Sequence, residues 1–435
     1  MSEPYGYLMV HFVEDAHGYR EKVHLSISRG DNPQAWDRLN GGEAILASHL
    51  STTGVRDPYL LRRPDGRYFI IATDLRVFGG DQAGWAGWAD GYSTRMNVWE
   101  SDDLITWTPQ RQIDVACGPD GTANTAAPHM GMMWAPEALW VEGFDAYGGA
   151  FVVYWSSSDE TGRHRILWGA TRDFTQAGWV TGGVLIDAPG DVIDATMLRH
   201  GARTYRVTKD NGTGRGLYME HCDDARWWLP QATWTQTQTR IGAGYAGGEP
   251  GGVEGPAMLH VRGDERWYLL VDVIPDVGYR PMVATDLDAD SPWSEVPDGD
   301  FDLARSTKHG GVLPLTRDRY DALRAADARE AVASSLAPAR VAQGETLEAV
   351  RAALPASASA LLHGGGEASF PVSWDLADVD PGRPGTYQAV GTLTGTLGAN
   401  LNDWVGQDGS RAYDAAGKVP CSATAIRVSA EVTVR

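Results

Sequence analysis

The chain has 435 residues, 43% of them hydrophobic, which is enough for two or three domains with a core each. Its net charge of −20 argues against nucleic acid and anionic membranes as partners. Cys117, Cys222 and Cys421 are odd in number and far apart, so neither a disulfide framework nor a metal motif is expected, and no apolar run is long enough to span a membrane.

The first residues lack the basic and apolar regions of a signal peptide. Two expectations follow: a cytoplasmic protein, or one whose leader has been removed. Seventeen Trp and 16 Tyr against 8 Phe favour aromatics with a polar handle, which suit stacking against sugars.

Residues 7–12 and 23–27 have strand-like composition, and the second run leads through Asp31 to Trp36. The same sequence of strand, Asp and Trp returns at Asp102 and Trp107, Asp173 and Trp179, Asp223 and Trp228, and Asp286 and Trp293. Each predicts a hairpin turn between two strands. A second pattern starts at Asp57, Glu137, Asp194 and Glu254. One carboxylate precedes an apolar run, a short polar turn follows, and a second apolar run ends near an acid or hydroxyl.

Joined, the two patterns make a four-stranded unit. Five Asp…Trp turns at spacings of roughly 50 to 75 residues predict an all-β chain whose main domain is a five-bladed β-propeller. Residues 7–12 supply a second strand without its first. Residues 311–315, after Lys308-His309-Gly310, are expected to supply it and close the ring. In such blades the acids and the long segments 78–96, 116–133 and 235–252 fall on one face. Residues 316–328 predict a short helix with Tyr320 and Leu323 inward. From about Val332 the Trp pattern stops, and alternating runs at 370–374, 387–393 and 425–434 predict a small β-sandwich. The expected domains are 1–328 and 329–435.

The starts of the innermost strands meet around a propeller axis, so Asp57, Glu137, Asp194, Glu254 and His309 are expected to ring one pocket. Hydrolysis of a glycosidic bond without a metal needs one protonated carboxyl for the leaving oxygen and one ionised carboxylate for water. A third acid nearby raises the first one's pKa. Taken singly, each acid is an ordinary turn residue. Their recurrence favours a catalytic pocket over a non-catalytic sugar-binding propeller.

These stretches carry a resemblance. Gly54-Val55-Arg56-Asp57-Pro58 with Thr73-Asp74, Trp134-Ala135-Pro136-Glu137, Val192-Ile193-Asp194, Val253-Glu254-Gly255-Pro256 and Lys308-His309-Gly310 together resemble glycoside hydrolase family 43, over residues 7 to about 325. The third motif departs from the family's usual Asp-Pro-Ser, reading Asp194-Ala195-Thr196. The resemblance implies a five-bladed propeller that inverts its substrate, with Asp57 as general base, Asp194 as pKa modulator and Glu254 as general acid. It implies substrate contacts at Trp134, Glu137, Asp74 and His309. It needs no cofactor, though His309 in many relatives faces a calcium ion or water in the central channel. The Gly-Val-Arg-Asp-Pro form looks most like exo-acting enzymes. An α-L-arabinofuranosidase is expected, with β-xylosidase, β-galactofuranosidase and endo-arabinanase as alternatives, acting as a monomer on an oligo- or polysaccharide. Val372-Ser373-Trp374-Asp375 and Pro384-Gly385-Thr386-Tyr387 resemble bacterial Ig-like modules of secreted carbohydrate enzymes, which favours the cell surface and a spacer role.

Overall fold

The computed structural model describes residues 3–14, 21–77, 93–145, 148–297, 299–404 and 425–435. Five four-stranded sheets precede a six-stranded one. The first blade takes β1 (Pro4–His11), β2 (His24–Arg29) and β3 (Asn32–Arg38). The second is β4 (Arg56–Arg62), β5 (Tyr68–Thr73), β6 (Arg95–Ser101) and β7 (Arg111–Asp114). The third is β8 (Trp134–Asp145), β9 (Gly148–Ser158), β10 (His164–Thr171) and β11 (Val180–Ile186). The fourth is β12 (Val192–His200), β13 (Arg203–Asp210), β14 (Gly216–Cys222) and β15 (Thr235–Ile241). The fifth is β16 (Val253–His260), β17 (Trp267–Val273), β18 (Gly278–Ala284) and β19 (Ser294–Glu295).

The ring closes as the sequence predicts. β20 (Gly310–Thr316) becomes the innermost strand of the first blade, antiparallel to β1 with Leu8 opposite Leu313. The innermost strands β20, β4, β8, β12 and β16 each touch the next, and β16 returns to β20. Second strands are mostly buried: every residue of β5 and of β17 is buried. Apolar side chains pack from blade to blade, Phe69 and Ile71 with Phe151 and Trp155, and Val207 and Met219 with Leu269 and Val271. Each innermost strand is the terminal strand of its sheet, and the ring closes by contact between neighbouring innermost strands.

The Asp…Trp turns join the third and fourth strands of all five blades. In the second blade the Asp103 carboxylate accepts the backbone N–H groups of Ile105 (2.8 Å) and Thr106 (2.7 Å), which fixes the turn. Trp36, Trp107, Trp179, Trp228 and Trp293 are all buried beneath their turns. Two expectations change. Residues 235–241 form β15 and not a loop, because Thr235, Thr237 and Thr239 alternate with polar neighbours as a strand requires. Only 242–252 connects the fourth blade to the fifth. Most of the expected long segment 78–96, namely 78–92, lies outside the described residues, as does Cys421.

Helix α1 (Arg317–Ala326) buries Tyr320 and Leu323 against the first blade. The second domain contains β21 (Ala328–Ala331), β22 (Ala339–Val341), helix α2 (Leu347–Ala353), β23 (Ser357–Leu362), β24 (Glu367–Asp375), β25 (Gly385–Leu393) and β26 (Arg427–Val434). β24 makes the sandwich by changing partners midway. It pairs with β23 up to Pro371 and with β25 from Val372. The domains are docked. The Asn400 side-chain oxygen accepts the Trp107 N–H at 3.0 Å, its amide donates to the Ile105 carbonyl at 2.8 Å, and Leu397 is buried in the first core cluster.

Gly310 is the tightest point of closure. A Cβ there would stand 1.9 Å from the Val10 carbonyl oxygen. Gly310→Ala is expected to lower stability by about 1–3 kcal/mol in urea unfolding, as overpacking does. Gly251→Ala, where a Cβ meets nothing within 4 Å, is the control and should leave the midpoint in place.

Candidate active site

Each innermost strand after the first blade's begins with a β-bulge and one residue in the left-handed region. These residues are Asp57 (φ 49°), Ala135 (47°), Asp194 (49°) and Gly255 (51°). For Ala and Asp that conformation costs roughly 1–2 kcal/mol each. What it provides is visible in the hydrogen bonds. The bulge frees a backbone N–H, which reaches the preceding blade. Ala135 donates to Thr73 Oγ1 (2.7 Å), Asp194 to Ser156 Oγ (3.0 Å) and Gly255 to Asp194 Oδ2 (3.1 Å). Gly310, at the matching place in β20, donates to Tyr279 Oη (2.6 Å).

This alignment corrects one feature of the sequence reading: the four acids are not equivalent. Asp57 and Asp194 occupy the left-handed position itself. Glu254 stands one residue before it, and Glu137 two residues after it, in line with Tyr59 and Thr196. Recurrence in sequence therefore marked the bulge, and three different side-chain directions follow from it.

Asp57 and Glu254 are partly exposed, whereas Asp194 is 8% exposed. Burial alone would raise the pKa of Asp57. The His309 ring, with Nδ1 at 3.3 Å, the Arg56 charge and a 2.9 Å hydrogen bond from Thr73 outweigh it and hold Asp57 below its ordinary value. Arg56 is itself held by Glu14 and Glu21, at 2.5 and 2.6 Å. Glu254 goes the other way. Burial first, then Asp194 and Asp272, push it up to about 8, against the pull of Lys308 and Lys209. Burial also raises Asp194, with Asp57 adding to it and His309 opposing. At neutral pH the pocket thus presents an ionised Asp57 and a protonated Glu254. His309, despite burial, is raised to about 9 by Asp57, Asp194 and Glu137, so it is a cation.

The remaining predicted residues separate. Trp134 is partly exposed at the start of β8, edge-on to His164 with centroids 6.0 Å apart. Glu137 is 2% exposed, accepts the Tyr154 hydroxyl at 3.1 Å, and is pushed by burial to about 8. Asp74 is 1% exposed and accepts Thr52 Oγ1 and Ser93 Oγ, both at 2.7 Å. The structure brings Asp57, Asp194, Glu254 and His309 together, with only Asp57 and Glu254 partly exposed, and buries Glu137 and Asp74. Two charged residues escaped the sequence reading. Asp272 lies opposite Glu254 and bonds Lys308 at 3.0 Å and the His309 N–H at 3.3 Å; Lys209 projects from β13. For Asp272 the available signal was a charged residue near the end of an otherwise apolar second strand.

A calcium ion needs roughly six to eight oxygen ligands. Among the described residues no group of three or more His, Cys, Asp or Glu is arranged to hold a metal. His309 turns Nδ1 to Asp57 at 3.3 Å. A cavity of about 770 Å³ lies between the domains, lined by Asn40, Arg329, His363 and Arg427 among others, and includes none of the acids above.

Residues 3–321 match the family described as a probable glycosyl hydrolase domain, related to glycoside hydrolase family 43. The chain belongs to this family. Residues 339–396 match a bacterial Ig-like domain of group 4. An α-L-arabinofuranosidase of Bifidobacterium longum subsp. longum is 31% identical over 242 residues, 49% of this chain and 21% of that protein. The chain thus spans about a fifth of that relative's length. Among solved structures, a thermostable family-43 glycoside hydrolase is 18% identical with a TM-score of 0.37, over 56% of this chain and 72% of that one. An α-L-arabinofuranosidase from Lactobacillus brevis is 13% identical with a TM-score of 0.38, over 86% and 89%. As a member of the glycosyl hydrolase family, the chain has its matched region ending inside α1, beyond the strand that closes the ring.

The buried Glu137 gives a pH test. Folded, it keeps its proton to about pH 8; its ordinary value is 4.5. The folded state therefore binds more protons than the unfolded state between those values, and stability falls as pH rises through that window. Glu137→Gln has no proton to lose. Its melting temperature is expected to fall less steeply than that of the native protein between pH 4.5 and about 8, measured by differential scanning calorimetry.

Proposed function

We propose that the protein is an inverting, exo-acting α-L-arabinofuranosidase. One observation carries the reading: the two carboxyls that reach the pocket surface are held in opposite protonation states, with a third, buried carboxyl between them. The Bifidobacterium relative's name supports the substrate. Asp57 takes a proton from a water, whose oxygen attacks the anomeric carbon. Glu254 gives its proton to the glycosidic oxygen as the bond to the leaving group breaks. Configuration inverts, and exchange with solvent restores both carboxyls. Asp194 binds the Gly255 N–H and so orients the residue next to Glu254, while its own charge keeps Glu254 protonated. Lysine and histidine cations around the ring neutralise the remaining acids, which lets Asp57 stay ionised in a largely buried place.

Trp134, at the rim, is the natural platform for a sugar ring. Direct contact needs exposure that Glu137 and Asp74 lack, so in this reading they act by holding their neighbours. The substrate is an oligo- or polysaccharide with terminal arabinofuranose, met at or outside the cell surface, and the Ig-like domain is a spacer.

Two outcomes are expected. The kcat/KM profile falls above about pH 8, as Glu254 loses its proton, and on the acid side below the ordinary carboxylate range, as Asp57 gains one. Asp57→Asn loses about 10²–10⁴-fold on all substrates. Glu254→Gln loses as much on arabinan but far less on an aryl arabinofuranoside whose phenolate leaves without a proton. Intact turnover of arabinan by Glu254→Gln would remove the assignment. Release of arabinose alone from linear arabinan is the expected product, mixed oligomers would make the enzyme endo-acting, and aryl β-xylosides and β-galactofuranosides are the competing substrates to measure beside it.

A further inference from the structure

Lys209 is 1% exposed on the second strand of the fourth blade. Its Cα partner across the ladder is Ile193, the residue before Asp194. Its ammonium group does not end on a carboxylate. It donates to the carbonyls of Pro250, at 2.7 Å, and Val253, at 2.5 Å. Val253 is the residue before Glu254, and Pro250 lies in the 3-10 turn Pro250–Gly252 that carries the chain from the fourth blade to the fifth. One side chain therefore spans from the strand beside Asp194 to the backbone that holds Glu254. The second link between the same two acids, the Gly255 N–H on Asp194, runs in the opposite direction.

A buried ammonium is costly, and an apolar chain of similar length would fill the space without that cost. Two backbone carbonyls alone give little reason to keep the charge. The surrounding carboxyls give one. Glu254 is faced by Asp194 from β12, Asp272 from β17, Lys209 from β13 and Lys308 from the segment before β20, while His309 lies against Gly255. Lys308 is committed to Asp272 and the Pro275 carbonyl. Lys209 is the cation that faces both Asp194 and Glu254 without an ion pair of its own, beside Lys308 for Glu254 and His309 for Asp194, with Asp210 next to it.

We propose that Lys209 is a positioning residue for the Asp194–Glu254 pair: it clamps the start of β16 to β13 and supplies the buried positive charge that this pair faces. Burial pulls its own pKa down, and Glu254, Asp194 and Asp210 pull it back up, as expected of a cation kept for its neighbours. Without it Glu254 keeps its proton to a higher pH, and the strand that aims Glu254 loses two hydrogen bonds.

The inference rests on Glu254 being the acid, and the test separates the two. Lys209→Met is expected to lower kcat roughly tenfold to a hundredfold with KM little changed, and to move the basic limb of kcat/KM up by about one pH unit. The acid limb, set by Asp57, stays in place. Lys209→Arg keeps the charge and should recover most of kcat with the basic limb unmoved. Lys209→Gln keeps an N–H for the Val253 carbonyl but no charge, and carries the test should Lys209→Met fail to fold; its limb should move as well. A folded Lys209→Gln with the native basic limb overturns the proposal, as does an activity loss that follows melting temperature alone. If only the Arg variant folds, Lys209 belongs to the fold and the proposal is wrong. An unmoved limb beside an inactive Glu254→Gln overturns the role of Lys209 only. An active Glu254→Gln on arabinan overturns the acid assignment itself.

Discussion

The backbone N–H freed at the start of each inner strand is the contact on which the rest of the site depends. Four successive blades place one such donor on a side chain of the blade before: Thr73, Ser156, Asp194 and Tyr279. Three of these bonds come from a left-handed residue at a bulge and the fourth from Gly310 in regular register, and each ties neighbouring blades. A carboxylate near that axis has little water to share its charge. It persists because these donors, and the cations between them, take the place of solvent.

The charge arrangement follows from that ring. Asp57 has a cation, a hydroxyl and partial exposure, and stays ionised. Glu254 has carboxyls on two sides and cations held by other groups, and keeps its proton. The same side chains are acidic in free solution by nearly the same amount. Their separation is a property of position, and it sets an ionised and a protonated carboxyl in one pocket.

Much of the fold was legible because it is local and repeated. The Asp…Trp turn needs only a carboxylate for the backbone of the turn and an indole for the space beneath it, so five copies could be counted. The closing strand was legible because a second strand without a first leaves an edge open. Other features were not. Glu137 sits in the sequence where an acid is expected, yet two residues past the bulge it turns into the channel, beside Tyr154 and behind the surface. Asp74 is consumed by Thr52 and Ser93, partners more than 18 residues away in either direction. Lys209 and Asp272 resembled ordinary strand ends.

By itself the sequence determined the blades, their number, the closing strand and the sandwich beyond them, because periodic burial and turn chemistry act over a few residues. Only the tertiary structure decided which acids reach the surface, which are charged, and which cations stand between them. Those depend on distances between blades of some 60 residues each, and a charge is sensitive to every group that surrounds it in space. The four recurrent acids are alike in the chain. In the ring Asp57 is held ionised, Glu254 and the buried Glu137 keep their protons, and Asp194 is buried beside Glu254.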